Sequence, residues 1–157
     1  MAMVALEALG DSPPVSIIAT DIDSQVLQQA RQGVYPAERC KGLSGERLKR
    51  FCLRGRAGTP QQGMVKMRPA LQRLIEFRTL NLLSSQWAVQ PPFDIIFCRN
   101  VMIYFDKPTQ RTLLERMVPM LVDDGLYIAG HSESFTNAGN LVRLVDRTVY
   151  APVRRDK

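Results

Sequence analysis

The order of apolar and polar stretches in this 157-residue chain predicts an α/β fold: a doubly wound sheet of the nucleotide-binding sort, with an antiparallel hairpin at its end. Three observations carry that reading. The run Ile95, Ile96, Phe97, Cys98 has no polar alternation, which predicts a strand buried on both faces, as in a parallel sheet covered by helices. Further strand and helix patterns alternate on either side of it. Arg99, Asn100 and Tyr104 follow it before any turn signal, and open α/β sheets hold their ligands beyond the carboxyl ends of the strands.

Each element has its own signal. Ala2–Leu9 reads as a short helix ended by Gly10. Residues 15–20 form an apolar strand, and Asp23 is a good N-cap for a helix through Gln32 that stops at Gly33. Ser44 can cap a helix over 44–51. Residues 53–68 hold Gly55, Gly58, Pro60 and Gly63 between short β-favouring pieces, which predicts a small antiparallel excursion. Ile75–Thr79 and residues 92–98 are strands. Leu113, Leu114, Met117, Val118 and Leu121 share one face of a helix over 109–121, and Asp124-Gly125 is a turn before a strand over 126–129. Residues 141–145 and 148–153 pair across Asp146-Arg147 as an antiparallel hairpin. The expectation is one domain over residues 1–157, with the excursion inserted at about 53–68.

Composition narrows the function. With 45% apolar residues and no run approaching the roughly 20 that a membrane span needs, the chain reads as soluble, without membrane insertion. Residues 1–10 lack the basic flank and cleavage pattern of a signal peptide, so the expected location is cytoplasmic. Cys40, Cys52 and Cys98 show no CxxC spacing, which predicts reduced thiols and no metal site. From Arg31 to Arg78 there are twelve Lys and Arg against three Glu, whereas the remainder of the chain is slightly acidic. Such a field attracts an anionic partner. Aromatics for base stacking are sparse there, so an acidic protein surface is favoured and nucleic acid is not.

Several phrases, in order, carry a resemblance: Thr20-Asp-Ile-Asp23, Gly33 to Tyr35, Leu80-Asn-Leu-Leu83, Phe93 through Cys98-Arg-Asn-Val-Met-Ile-Tyr104 to Phe105, Asp124-Gly-Leu126 and Gly130-His-Ser-Glu133. Together they resemble the catalytic domain of the CheR family of chemotaxis receptor methyltransferases, over nearly the whole chain. The resemblance implies a Rossmann-like sheet that binds S-adenosylmethionine and yields S-adenosylhomocysteine. It implies methyl transfer to glutamate side chains of the cytoplasmic domain of chemotaxis receptors, giving methyl esters. A receptor- or protein-binding remnant without chemistry is the alternative reading.

By similarity, Asp21 accepts the ribose hydroxyls while its neighbour Asp23 caps the helix, and Asn81 and Leu82 flank the adenine. Arg99 and Asn100 also contact the cofactor, and Tyr104 lines the methyl-transfer site. His131 and Glu133 are strand-end residues that shape it, because a carboxylate nucleophile needs no imidazole base. Arg54, Gly55, Gly63, Lys66 and Arg68 of the excursion form the expected substrate-docking set. The family's first strand and its acidic, glycine-containing loop, together with an upstream helical domain, are expected to be missing from this chain. Such a sheet has unpaired backbone between the strands that should flank its middle member.

Overall fold

Capping chemistry sets the helix boundaries in the computed structural model, which describes residues 1–153. Helix α1 (Ala2–Leu9) ends at Gly10, at φ 87°. Asp23 accepts from the N–H groups of Gln25 and Val26 and so opens α2 (Ser24–Gln32). Gly33, left-handed at φ 63°, donates its N–H to Gln29 and Ala30 and closes that helix. Ser44 accepts from Arg47 N–H at the start of α3 (Gly45–Phe51).

The chain divides into two compact units, residues Met1–Ala88 and Val89–Lys157. In the first, strand β1 (Ile17–Asp21) runs parallel to the later β5 (Ile75–Thr79), with Asp21 opposite Thr79 at the exit. Between them in sequence, β2 (Val34–Pro36), β3 (Cys52–Arg54) and β4 (Met64–Met67) form an antiparallel sheet in the order β2-β4-β3. A short helix α4 (Pro69–Gln72) leads back to β5. The core of this unit gathers Leu6, Cys40, Phe51, Cys52, Val65 and Leu71.

In the second unit, β6 (Phe93–Cys98), α5 (Lys107–Met117), β7 (Leu121–Ala129), β8 (Val142–Asp146) and β9 (Val149–Pro152) build a sheet ordered β6-β7-β9-β8. The β6–β7 pair is parallel and the terminal β8–β9 hairpin antiparallel, as the sequence predicts. Met102, Leu113, Leu114 and Tyr127 are fully buried there. Phe135 packs edge-on against both Tyr127 and Tyr150, at ring-centroid distances of 5.6 and 5.2 Å.

Four expectations change. The parallel strands fall into two ladders, β1–β5 and β6–β7, instead of one sheet, because pattern reports strand existence and not which strands pair. Strand β6 is covered on one face only: Cys98, Tyr127 and Ala129 are buried, while Ile95 and Phe97 on the other face stay 49% and 47% exposed. Among the described residues nothing packs closely over that second face, so apolar composition overstated the burial of the strand. Helix α5 begins earlier than predicted, where Asp106 accepts from Thr109 N–H, and it ends at Met117, two residues before Pro119. The Asp124-Gly125 turn lies inside β7 as a register irregularity, since Phe93 pairs with Leu121 but Ile95 with Leu126.

Candidate functional site

The exits of β1 and β5 are tied together. Leu80 donates its N–H to Asp21 O at 2.9 Å, so Asp21, Asn81 and Leu82 share one strand end. Asp21 Oδ1 accepts from Asp23 N–H at 2.9 Å, and Asn81 Oδ1 accepts from Leu83 N–H at 2.9 Å. Both side chains therefore fold their own turns, as short polar residues at strand exits do. Neither Asp21 Oδ2 nor the Asn81 side-chain NH2 makes a hydrogen bond among the described residues. The chain's single tryptophan closes this loop, with Trp87 Nε1–H donating to Leu82 O at 3.2 Å. On β5, Arg78 grips Glu76 through two 2.8 Å contacts, and that bond holds the Glu76 carboxyl below its ordinary value.

At the exit of β6 the candidate side chains make no hydrogen bond among the described residues; other side chains hold the backbone of the segment that carries them. Asn100 adopts φ 59°, a left-handed conformation that Asn tolerates better than most residues. The chain then enters a single 3₁₀ turn, Met102–Tyr104. Glu133 Oε1 accepts from Val101 N–H at 3.0 Å and Met102 N–H at 2.9 Å, and its Oε2 accepts from Gly130 N–H at 2.5 Å. From the opposite side, Gln110 Nε2 of α5 donates to Met102 O at 2.8 Å and Phe105 O at 2.9 Å. Glu133 and Gln110 are each only 8% exposed. On this braced segment Arg99 and Asn100 lie at the surface, and Tyr104 is 81% exposed.

Gly130 closes the arrangement. A Cβ there would sit 2.5 Å from Asn100 Oδ1 and 2.9 Å from both Asn100 N and Glu133 Oε2, so any larger residue displaces the β6 exit. Behind the exit, burial pushes the Cys98 thiol up from its ordinary value. Burial, followed by the neighbouring Cys98, pushes the Tyr127 hydroxyl up as well, and that oxygen has no hydrogen-bond partner among the described residues. The predicted site residues thus form two groups, Asp21, Asn81 and Leu82 in one unit and Arg99, Asn100 and Tyr104 in the other. Sequence reasoning passed over Gln110. A glutamine at the i−3 and i−4 positions from Leu113 and Leu114 stands on an apolar helix face, and that signal pointed to it.

The excursion is a hairpin whose glycines have fixed duties. A Cβ on Gly55 would lie 1.7 Å from Gln61 O, and Gly63 sits at φ 79°. Gly55 N–H donates to Met64 O, and Gly63 O accepts from Ala37 N–H. Strand β2, which the sequence did not reveal, pairs with β4 through Val34–Lys66, Tyr35–Val65 and Pro36–Met64. Register separates the expected docking cations: Arg54 lies on the face of buried Val65, and Lys66 on the opposite face with Leu53. Arg68 NH2 donates to Lys49 O at 3.4 Å.

Among the described residues no group of three or more His, Cys, Asp or Glu is placed to hold a metal, and no helix is long and apolar enough to cross a membrane. The family model described as CheR methyltransferase, SAM binding domain, matches residues 1–151. "Chemotaxis protein methyltransferase 2" of Pseudomonas aeruginosa is 53% identical over 153 residues, which are 97% of this chain and 54% of that protein. "Chemotaxis protein methyltransferase" of Salmonella typhimurium is 46% identical over 158 residues, 100% of this chain and 54% of that one. Its Escherichia coli namesake is 45% identical over 152 residues, covering 96% and 52% respectively. The chain spans about half the length of these curated relatives.

Proposed function

The chain belongs to the CheR methyltransferase family, and on that premise we propose that the protein carrying it methylates glutamate side chains of chemotaxis receptors, in the cytoplasm, with S-adenosylmethionine as donor. What supports the reading is the match to a SAM-binding domain over residues 1–151, on a chain whose uncommitted polar groups stand at strand exits. The whole chain is read as methyltransferase domain, with residues 53–68 as its receptor-facing excursion.

The donor set fits the cofactor. Asp21 offers an unengaged carboxylate oxygen at the carboxyl end of a parallel strand, the place from which such folds accept ribose hydroxyls. Asn81 has a free amide NH2 to bond an adenine nitrogen, and half-buried Leu82 beside it supplies an apolar surface for the ring. Arg99 and Asn100, exposed at the β6 exit, are read as further cofactor contacts on the family resemblance alone. When bound, S-adenosylmethionine supplies a methyl whose carbon–sulfur bond breaks with both electrons left on sulfur, as a substrate carboxylate oxygen takes the carbon. A glutamate with an unperturbed pKa near 4.3 is already ionised at pH 7, so no residue here has to remove a proton. The work left to the protein is alignment and exclusion of water from the approach path. Tyr104, with exposed Val101 and Ile103 beside it, presents an apolar surface suited to that task.

Titration of the full-length protein with S-adenosylhomocysteine, joined to transfer of labelled methyl onto receptor as base-labile ester, tests this function. Tight binding with ester formation is the expected result; absence of both in folded protein overturns it. Asp21→Ala should weaken cofactor binding by about 1–3 kcal/mol, the scale of a hydrogen bond to a charged group. Recognition of an acidic receptor surface by Arg54, Lys66 and Arg68 predicts that the double change Arg54→Glu and Arg68→Glu raises the apparent KM for receptor while leaving cofactor affinity intact. Wild-type kinetics at low and moderate salt would remove the excursion from recognition.

A further inference from the structure

Three side chains of the β6 exit, those of Arg99, Asn100 and Tyr104, make no hydrogen bond among the described residues, yet the segment that carries them is held at Val101, Met102 and Phe105 by side chains from elsewhere in the unit. That combination needs an anchor elsewhere. Glu133 is a carboxylate buried to within 8% of full coverage, with no cation paired to it among the described residues. A buried carboxylate is costly unless its oxygens are satisfied. Here three backbone N–H groups satisfy them: Val101 and Met102 on Oε1, Gly130 on Oε2. The donors come from two separate strand exits, so one side chain fixes the end of β6 against the end of β7. The left-handed turn at Asn100, immediately before the first donor, is the bend that brings Val101 and Met102 round to the carboxylate.

We propose that Glu133 is a positioning residue for methyl transfer: by clamping Val101, Met102 and Gly130 it fixes the backbone from which Arg99, Asn100 and Tyr104 project toward cofactor and substrate. The inference rests on the methyltransferase reading above. Glu133 itself faces backbone and touches no reacting atom. Its carboxylate is the required chemistry, because all three partners are donors. A glutamine of the same size has an NH2 where one acceptor oxygen was, which sets donor against donor at either Gly130 or the Val101–Met102 pair. Gln110 supplies the complementary grip on Met102 O and Phe105 O, and Gln110→Glu replaces that double donor with a group that cannot donate when ionised.

The test uses the full-length protein. In the wild type, the Val101, Met102 and Gly130 amides should exchange with deuterium as slowly as those of β7, although Arg99 and Asn100 beside them exchange fast. Rapid exchange of all three amides would overturn the clamp without any variant being made. Glu133→Gln, assayed well below its own melting midpoint, should raise the dissociation constant of S-adenosylhomocysteine at least tenfold. It should also lower kcat for receptor methylation by a larger factor than it changes the receptor KM. Gln110→Glu should reproduce that pattern more weakly, and it serves alone if Glu133→Gln does not fold. Glu133→Asp, which keeps the acceptors on a shorter arm, should recover part of the loss. Variants that melt earlier yet bind and turn over like the wild type would make Glu133 merely structural and refute the proposal. A wild type that binds no S-adenosylhomocysteine would instead refute the methyltransferase reading, and the proposal with it.

Discussion

The carboxyl ends of β1 and β6 carry the two groups of candidate residues, and they are built by opposite strategies. At β1 the candidate residues shape the turn themselves: Asp21 holds Asp23 N–H, and Asn81 holds Leu83 N–H. At β6 remote residues do so, with Glu133 and Gln110 holding the backbone while Arg99, Asn100 and Tyr104 remain uncommitted. Binding and stability are therefore entangled at the first exit and separable at the second. A side chain that both folds a loop and offers its remaining atoms to a ligand cannot be altered for one purpose alone.

The sharpest way to break that contrast is Gly130→Ala. The new methyl would press on Asn100 backbone nitrogen and on Glu133 at 2.9 Å, an overpacking expected to cost about 1–3 kcal/mol in urea unfolding. A neutral result would show that the β6 exit yields easily and is not firmly braced. Next in size, Asp21→Ala should lose stability as well as cofactor affinity, about 0.5–1.5 kcal/mol for its bond to Asp23 N–H. If affinity falls with unfolding unchanged, the two exits do not differ in kind.

Acid should act on both units. Asp106, which opens α5, is held below its ordinary value first by the Thr109 hydroxyl and then by the Thr109 N–H, and Glu76 is held down by Arg78. A carboxyl whose folded pKa is depressed contributes its full stabilisation above the unfolded value, about 3.9 for Asp and 4.3 for Glu, and loses it as pH falls through the folded value. Urea midpoints should therefore drop below about pH 4, and Asp106→Ala should flatten only its own share of that fall. An unaltered acid slope in this variant would contradict the cap. The smallest effect is expected from Tyr104→Phe, which at 81% exposure should leave unfolding within about 0.5 kcal/mol of wild type. A larger loss would mean that the exit side chains are committed after all.

Much of the scaffold was legible because its signals are local. Asp23 with Gly33, Ser44 and the glycines of residues 53–68 each announce a cap or turn within a few residues of where it acts, and those elements appear as read. The polar triplet after β6 stood out because charge and amide groups at the end of an apolar strand have no packing explanation. What the pattern could not convey is long-range. Strand β2 is three residues with no alternation to read, and only its pairing with β4 makes it a strand. The break between the β1–β5 and β6–β7 ladders is a matter of which strands meet, and the exposure of Ile95 and Phe97 is a matter of what packs on that face. Glu133 reaches back 32 residues to Val101, so its residue type suggested a site-shaping role but not the three amides it holds.

The position of Trp87 gives the molecule a built-in optical probe. Its indole is bonded to the carbonyl of Leu82, beside Asn81, and no other tryptophan contributes to the emission. Fluorescence excited at the indole therefore reports on the β5 exit. A nucleoside settling against Leu82 would alter the colour or quenching of that emission, so cofactor binding at this exit could be followed without any label.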